Sequence, residues 1–128
     1  MFRALQSLPD TLKKDVFYII AGDGPDKRFL EEECKLLGIA DIVQFVGFVS
    51  ETDLPLFYNA LDLFILCTEE VPEGRKVEGF GLVFLEAQSC GIPVIGTRAG
   101  GIPDAVKENN GGLLINPKKN HELKNYII

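Results

Sequence analysis

Short apolar runs alternate with amphipathic stretches along the chain. Residues 16–21 form an apolar run that stops at the turn Gly22-Asp23-Gly24-Pro25, which is typical of a buried strand. Between residues 27 and 37 the apolar positions fall at helical spacing among acidic and basic side chains, and Gly38 follows where a helix commonly ends. The pattern therefore predicts a strand over 16–21 and a surface helix over 27–37.

The same strand and helix alternation continues to the C-terminus. Further strands are predicted at residues 42–46, 63–67, 93–96 and 111–115. Helices are predicted from the capping residues 50–53 through 60, over 81–90, from residue 100 with Pro103 in the first turn, and at the C-terminus. Repeated units of this kind favour an α/β fold, a Rossmann-like doubly wound parallel sheet with helices on both faces. Ligands of such folds bind outside the carboxyl ends of the strands.

The length and composition are those of one globular domain. The chain has 128 residues, of which 46% are hydrophobic and 25% charged. That is enough for one hydrophobic core, and we expect residues 1–128 to form a single domain. It is short for a two-domain enzyme, so we interpret it as a fragment of a larger protein.

The formal net charge of −6 changes the set of expected partners. Nucleic-acid surfaces need clustered Lys and Arg, and no long basic stripe is present, so we exclude nucleic acid as a partner. A small anion such as a diphosphate stays compatible with this charge, because backbone N–H groups at the start of a helix can bind it.

The cysteines and the apolar segments indicate the compartment. Three cysteines without a CxxC pair suggest neither a disulfide framework nor a zinc site. The start of the chain has no cleavable signal pattern, and the most apolar region, 54–67, is interrupted by Asn59 and Asp62. We therefore expect a soluble, cytoplasmic protein with reduced cysteines.

Two carboxylates, one on each side of a predicted helix start, are the candidate functional groups. Glu78 precedes the turn Gly79-Phe80-Gly81, and Glu86 lies within the predicted helix that follows it. A carboxylate accepts charge-assisted hydrogen bonds from a sugar diol, whereas the amides at the glycine-flanked helix start suit a phosphate. Taken alone, the two glutamates could also be a helix-start carboxylate and an exposed helix residue beside a tight turn.

This segment continues as residues 86–95, EAQSCGIPVI, and then as 100–104, GGIPD. From Ile19 to Pro117 the chain resembles the donor-binding, C-terminal half of a family 4 (group 1) retaining glycosyltransferase. The resemblance implies a GT-B architecture, in which two Rossmann-like domains hold the donor and the acceptor. It favours the functional interpretation of the two glutamates over the structural one.

The resemblance also assigns roles to individual positions. Glu78 would contact the transferred sugar and is the candidate catalytic residue, and Glu86 would bind the ribose of the donor. The sugar and the phosphates would be contacted by Gly79, Phe80, Gly81 and Leu82. The turn at Gly22 and Gly24 corresponds to the family's turn after its second strand, and Phe48 and Val49 belong to the loop beside the nucleobase.

The implied reaction is a front-face displacement that retains the anomeric configuration, with the leaving diphosphate accepting the proton of the acceptor hydroxyl. Neither a protein nucleophile nor a metal or other cofactor is expected. The substrate would be a nucleotide-diphosphate sugar, and the partner a separate N-terminal acceptor domain or subunit. The resemblance also implies that the full-length protein could associate peripherally with the inner face of a membrane, although no amphipathic basic helix in this chain argues for it.

The chain departs from the family pattern at its start. Members of the family begin this domain with a strand followed by a Gly-Arg pair and a lysine, and nothing comparable precedes Val16. The sheet would then lack its first, central strand. Arg75, Lys76 and Arg98 could partly replace the absent phosphate-binding cations, although we favour the interpretation that they are solvated surface charges.

Two other functions compete with a donor domain of an enzyme. A nicotinamide-dependent oxidoreductase would explain Gly22-Asp23-Gly24 after a strand, but Lys27 occupies the third glycine position of that fingerprint. A noncatalytic nucleotide-sugar-binding fragment, or one subunit of a split transferase, fits the absent strand better. We expect the isolated chain to be inactive under either form of the transferase hypothesis.

Three further side chains are not assigned a role in the site. His121 lies in a polar C-terminal stretch and is not assigned as a base. Cys90 and Phe84 are predicted to pack in the core.

Overall fold

In the computed structural model, residues 1–68, 81–117, 119 and 123–127 are described. The chain divides into two compact units. The first unit comprises Met1–Ser50 and the C-terminal segment His121–Ile128, and the second comprises Glu51–Asn120.

Parallel strands alternate with helices in both units, which confirms the predicted α/β class. The strands are β1 (Tyr18–Ala21), β2 (Val43–Gly47), β3 (Phe64–Leu66), β4 (Val94–Thr97) and β5 (Gly112–Ile115). The helices are α1 (Phe2–Gln6), α2 (Asp10–Lys13), α3 (Lys27–Leu36), α4 (Leu54–Asn59), α5 (Leu82–Ser89), α6 (Ile102–Ala105) and α7 (Lys124–Ile127). A 3-10 turn, Ala40–Ile42, precedes β2.

In the first unit, β1 and β2 form a parallel pair. Tyr18 pairs with Val43, and the register shifts between Ile20 and Ala21. A hydrophobic cluster accompanies this pair, with buried members from α1, α3 and β2 as well as connecting segments. Its buried residues are Leu5, Leu8, Cys34, Ile39 and Val43. Cys34 is buried and Leu37 is partly buried against this cluster, as their helical spacing predicts, whereas Phe29 at the start of α3 is 67% exposed.

In the second unit, β3, β4 and β5 form a parallel sheet with β4 in the centre. All four residues of β4 are buried, as expected of a strand paired on both edges and covered by side chains. The core contains residues from α4, α5 and α6 together with the sheet. Its buried members are Tyr58, Phe84, Ala87, Val94, Ile102, Ala105, Val106 and Leu114.

The strand prediction was accurate within a few residues, whereas two elements at the start were not predicted. The short helices α1 and α2 precede β1. Leu5 and Leu8 are nonetheless buried, Leu5 fully. Among the described residues the strands form two separately paired sheets, β1 with β2 and β3 with β4 and β5.

Candidate functional site

Helix α5 carries the second predicted glutamate and begins at a predicted glycine. Gly81 is the N-cap residue and adopts a left-handed conformation, with φ of +74°. A Cβ on Gly81 would lie 3.0 Å from Cδ2 of Phe84, which is itself fully buried. A side chain at position 81 would therefore meet both an unfavourable backbone conformation and a close contact. The predicted helix start and the predicted core position of Phe84 are confirmed.

The start of α5 has the general properties of an anion site. The amides of the first helical turn point along the axis and carry the positive end of the helix dipole. Leu82, the first helical residue, is 64% exposed, so this end of the helix is open on the side of that residue. The backbone here can donate to a phosphate without any cationic side chain.

The carboxylate of Glu86 is held by a tyrosine from the preceding helix. The Tyr58 hydroxyl donates a hydrogen bond of 2.8 Å to Oε2 of Glu86. Tyr58 is 4% exposed, whereas Glu86 is an exposed residue. Burial, the hydrogen bond to Glu86 and the charge of Glu86 all raise the pKa of the Tyr58 phenol, burial most strongly. The phenol therefore stays protonated and acts as a donor at neutral pH.

A cavity of about 360 Å³ lies beside this pair. Residues from α4, from the segment just before it and from the end of α5 surround the cavity: Glu51, Leu54, Pro55, Tyr58, Glu86, Ser89 and Cys90. The walls combine apolar side chains with a few polar groups, which is the composition common to small-molecule sites. Cys90, predicted as a core residue, is half-buried and packs against the hydrophobic core while also lining this cavity.

In the first unit, two predicted site loops are brought together. The amide of Gly22 donates to the carbonyl of Gly47 over 2.7 Å, and the amide of Phe48 donates to Oδ2 of Asp23 over 3.1 Å. Phe48 is 75% exposed and Val49 is half-buried, while Gly24 is exposed. The turn after β1 and the loop after β2 thus form one hydrogen-bonded surface at the carboxyl ends of the two strands.

Several predicted residues lie outside the described part of the chain. Glu78, Gly79 and Phe80 belong to this group, as do the two cationic candidates Arg75 and Lys76 and the unassigned His121. Arg98 is described, and its Nη2 donates to both carboxylate oxygens of Glu108 at 2.7 and 2.8 Å. The positive charge of Arg98 is therefore engaged with an acidic partner.

Each unit also contains one contact that sequence analysis did not assign, at Tyr58 in the second unit and at Asp23 in the first. Tyr58 contacts Glu86 across 28 positions in the sequence, and such a pairing leaves no local pattern. Asp23 was part of the recognised turn, but its hydrogen bond to the Phe48 amide depends on the pairing of β1 with β2. In both cases tertiary packing, rather than residue spacing, creates the contact.

None of the helices in the described part of the chain is both long and apolar enough to cross a bilayer. Within the same residues, no three His, Cys, Asp or Glu side chains are grouped so that they could hold a metal ion.

Comparison with known proteins identifies the family. The model of the family described as glycosyl transferases group 1 matches residues 1–128. A GDP-mannose-dependent α-(1-6)-phosphatidylinositol monomannoside mannosyltransferase of Mycobacterium tuberculosis is 38% identical over 97 residues, which are 76% of this chain and 25% of the relative. The chain thus spans about a quarter of the length of the first curated relatives it matches.

Solved structures show the same fold. The Anabaena protein HepE in complex with UDP-glucose is 32% identical, with a TM-score of 0.79 over 98% of this chain and 33% of that one. The C-terminal domain of the group 1 protein LpcC from Francisella tularensis is 29% identical, with a TM-score of 0.75 over 98% of this chain and 64% of that one. The architecture is that of the C-terminal Rossmann-like domains of GT-B glycosyltransferases.

The family model covers the whole chain, and the fold agrees with solved members of the same group. The chain belongs to the glycosyl transferases group 1 family.

Proposed function

We propose that this chain is the donor-binding domain of a retaining glycosyltransferase and that Glu86 binds the ribose of a nucleotide-diphosphate sugar. The observation that carries the proposal is the placement of Glu86, whose exposed carboxylate lies on α5 beside a cavity of about 360 Å³. An ionised carboxylate has two oxygens and about four lone-pair sites, and Tyr58 occupies one of them. The remaining sites can accept both hydroxyls of a ribose diol.

The diphosphate is assigned to the start of α5. The amides of that first turn, including those of Gly81 and Leu82, supply donors and the positive end of the helix dipole. Gly79 and Phe80 would extend this backbone surface, and Glu78 would accept hydrogen bonds from the transferred sugar. The roles of Glu78, Gly79 and Phe80 rest on the family resemblance.

The family resemblance would place the nucleobase at residues of the first unit, namely Phe48 and Val49 in the loop after β2 and the turn at Gly22 and Gly24. The hydrogen bonds from Gly22 to Gly47 and from Phe48 to Asp23 give this loop a defined conformation. A loop with a fixed backbone can recognise the edge of a base through its free backbone groups. The name of one relative contains GDP-mannose, whereas the solved structure of HepE is a complex with UDP-glucose.

In the proposed reaction, the acceptor hydroxyl oxygen attacks the anomeric carbon on the face that the diphosphate leaves. The bond from that carbon to the diphosphate oxygen breaks, and the diphosphate takes the hydroxyl proton. This chemistry requires positioning of the donor and stabilisation of the departing charge, and neither a protein nucleophile nor a metal. The α5 amides would stabilise the charge that develops on the leaving phosphate.

Transfer is proposed for the full-length protein, since the chain spans about a quarter of the first relatives it matches. The acceptor would be held by an N-terminal domain or by a partner subunit. The 128-residue chain would then bind the donor without transferring the sugar. Sugar transfer by the purified chain alone would contradict the proposal that a second domain or subunit is required.

The test of the donor site is calorimetric titration of the purified chain with UDP, GDP and ADP and with their sugar conjugates. We expect one nucleotide series to bind, and Glu86→Ala to weaken it by about ten- to a hundredfold, because a charge-assisted hydrogen bond contributes about 1.5–3 kcal/mol. Glu32→Ala, which removes an exposed helical glutamate from α3, is the matched control and should leave binding unchanged.

Two results would contradict the proposed donor site. One is a folded chain that binds none of the three nucleotide series. The other is a nucleotide whose affinity is the same for the wild-type chain and for Glu86→Ala.

A further inference from the structure

The Tyr58 hydroxyl is placed by the core of the second unit. The Tyr58 ring packs edge to face against Phe57 and Phe64, with centroid distances of 5.9 and 5.8 Å. Phe64 in turn packs edge to face against Phe84 of α5, at 5.5 Å. Because these rings are locked by packing, the Tyr58 oxygen has one position relative to α5.

The Glu86 side chain, in contrast, has few constraints of its own. It projects from α5 as an exposed residue, and an exposed glutamate samples several rotamers. Fixing such a side chain on ligand binding costs conformational entropy. The hydrogen bond from Tyr58 to Oε2, at 2.8 Å, selects one orientation of the carboxylate before any ligand arrives.

We propose that Tyr58 is a positioning residue that orients the Glu86 carboxylate toward the two hydroxyls of the donor ribose. This inference rests on the proposed role of Glu86. Tyr58 presents one proton and donates it to Oε2, which leaves Oε1 and the second lone-pair site of Oε2 as acceptors. Two adjacent acceptors with a fixed orientation match the two donors of a vicinal diol.

The protonation state of Tyr58 agrees with this role. Burial raises the pKa of the phenol, so the proton that holds Glu86 is present throughout the neutral range. Orientation of Glu86 should then not depend on pH through Tyr58 in any ordinary assay.

A structural role for the phenol is the competing explanation. A buried hydroxyl needs a hydrogen-bond partner, and Glu86 could serve merely as that partner. The two explanations differ in which ligands should lose affinity when the Tyr58 hydroxyl is removed. A positioning role affects ligands through the ribose diol, whereas a structural role affects all ligands of the site alike.

The experiment compares Tyr58→Phe, Glu86→Gln, the double variant and the wild-type chain by calorimetric titration. The probes are UDP, GDP and ADP, together with the 2′,3′-dideoxy form of each nucleotide that binds. Tyr58→Phe retains the aromatic ring and its packing, and thermal unfolding checks that the variant is folded. Tyr126→Phe, which removes the hydroxyl of an exposed tyrosine on α7, is the control and should leave both affinities unchanged.

We expect Tyr58→Phe to weaken binding of the ribonucleotide by about three- to tenfold, the fold-change that corresponds to one hydrogen bond of ordinary strength. Binding of the dideoxy form should change by less than about twofold, because it has no diol for Glu86 to accept from. In the Glu86→Gln background, Tyr58→Phe should add less than it does in the wild type, since the amide that replaces the carboxylate has only one oxygen that can accept from the diol.

The outcomes separate this inference from the proposed function. If Glu86→Gln weakens binding and Tyr58→Phe does not, the positioning role is wrong and the donor site stands. Equal weakening of the ribonucleotide and the dideoxy form by Tyr58→Phe also overturns the positioning role, in favour of a structural one. If Glu86→Gln leaves ribonucleotide affinity unchanged, the proposed role of Glu86 fails, and the role of Tyr58 fails with it.

Discussion

The hydroxyl of Thr97 joins the ends of two neighbouring parallel strands. It accepts a hydrogen bond from the Thr68 amide at 3.1 Å and donates one to the Thr68 carbonyl at 2.7 Å. The backbone pairing of β3 with β4 ends at Leu66 and Gly96. The Thr97 side chain extends this contact by bonding the backbone of Thr68, two residues after the end of β3. Thr97 is fully buried, and the position just after Thr68 leads into the segment that contains Glu78.

Replacing Thr97 with valine should therefore destabilise the protein. Valine has nearly the same shape but leaves the amide and carbonyl of Thr68 without the Thr97 hydroxyl, at a cost of about 1–3 kcal/mol in the free energy of unfolding. Chemical denaturation of the purified chain measures this difference. Thr97→Ser, which keeps the hydroxyl, should recover a substantial part of it.

Thr68→Val provides a sharp contrast in the same pair. The Thr68 hydroxyl is buried and has no hydrogen-bond partner among the residues that the structure describes. Removing an unpaired buried hydroxyl is nearly neutral or stabilising. A loss of stability from Thr68→Val equal to that from Thr97→Val would contradict the assignment of the bonds to the Thr97 side chain.

Gly96→Ala should destabilise the core of the second unit by about 1–3 kcal/mol, the usual cost of overpacking. A Cβ on Gly96 would lie 2.8 Å from Cγ2 of Ile102 and 3.0 Å from Cζ of Phe84, both fully buried residues. Thermal and denaturant unfolding report the change. Gly24→Ala is a suitable comparison because a Cβ there would meet nothing within 4 Å, and its stability should differ little from the wild type.

Asp23→Ala should release the loop after β2. The Asp23 carboxylate accepts the hydrogen bond of the Phe48 amide, and in its absence this exposed amide loses its side-chain acceptor. We expect hydrogen exchange of the Phe48 amide to accelerate severalfold or more, with little effect on global stability. Asp26→Ala removes a neighbouring exposed carboxylate that forms no side-chain cap on α3, and should leave Phe48 exchange unchanged.

The buried phenol of Tyr58 should not contribute to the absorbance change near pH 10 in an ultraviolet titration of the folded chain. The protein has three tyrosines, and the pKa of Tyr58 is raised by burial and by Glu86. The wild type and Tyr58→Phe should therefore give the same absorbance change near pH 10 when folded. In denaturant the wild type should show one more titrating tyrosine, because the phenol then returns to its ordinary pKa of about 10.

The raised pKa of Tyr58 also determines how the stability of the protein changes at alkaline pH. Since the folded-state pKa of Tyr58 lies above its unfolded value, its contribution to stability is complete below pH of about 10 and is lost as the pH rises toward the folded-state pKa. Tyr58→Phe should reduce this alkaline loss. An equal loss in both proteins would contradict the assignment.

The regular part of the fold was predictable because its signals are local. The apolar run before Gly22 and the helical spacing of residues 27–37 identified β1 and α3 almost to their ends. Helix α1 was missed because five residues hold too few apolar positions to define a period, although Leu5 is fully buried. Its formation depends on packing in the first unit rather than on helix propensity.

The candidate site was predictable where a local pattern carries the chemistry. Gly81 and Glu86 could be placed at the start and inside α5 because glycines and apolar positions delimit that helix. Tyr58 occurs in a helix whose pattern shows only an apolar face, and its hydroxyl meets Glu86 through the packing of Phe64 and Phe84. A hydrogen bond made by tertiary structure leaves no signature in residue spacing.

The parallel pairing of every described strand also determines how the chain must be assembled during synthesis. Phe64 pairs with Val94, and Val94 with Gly112, so no strand pair can form as a hairpin between sequence neighbours. Such non-local pairing slows folding, because the chain loses the entropy of loop closure before the strand contacts stabilise the structure. On the ribosome, β3 emerges well before its partner strand exists. The nascent second unit therefore passes through an interval in which the apolar residues of β3 have no strand to pair with.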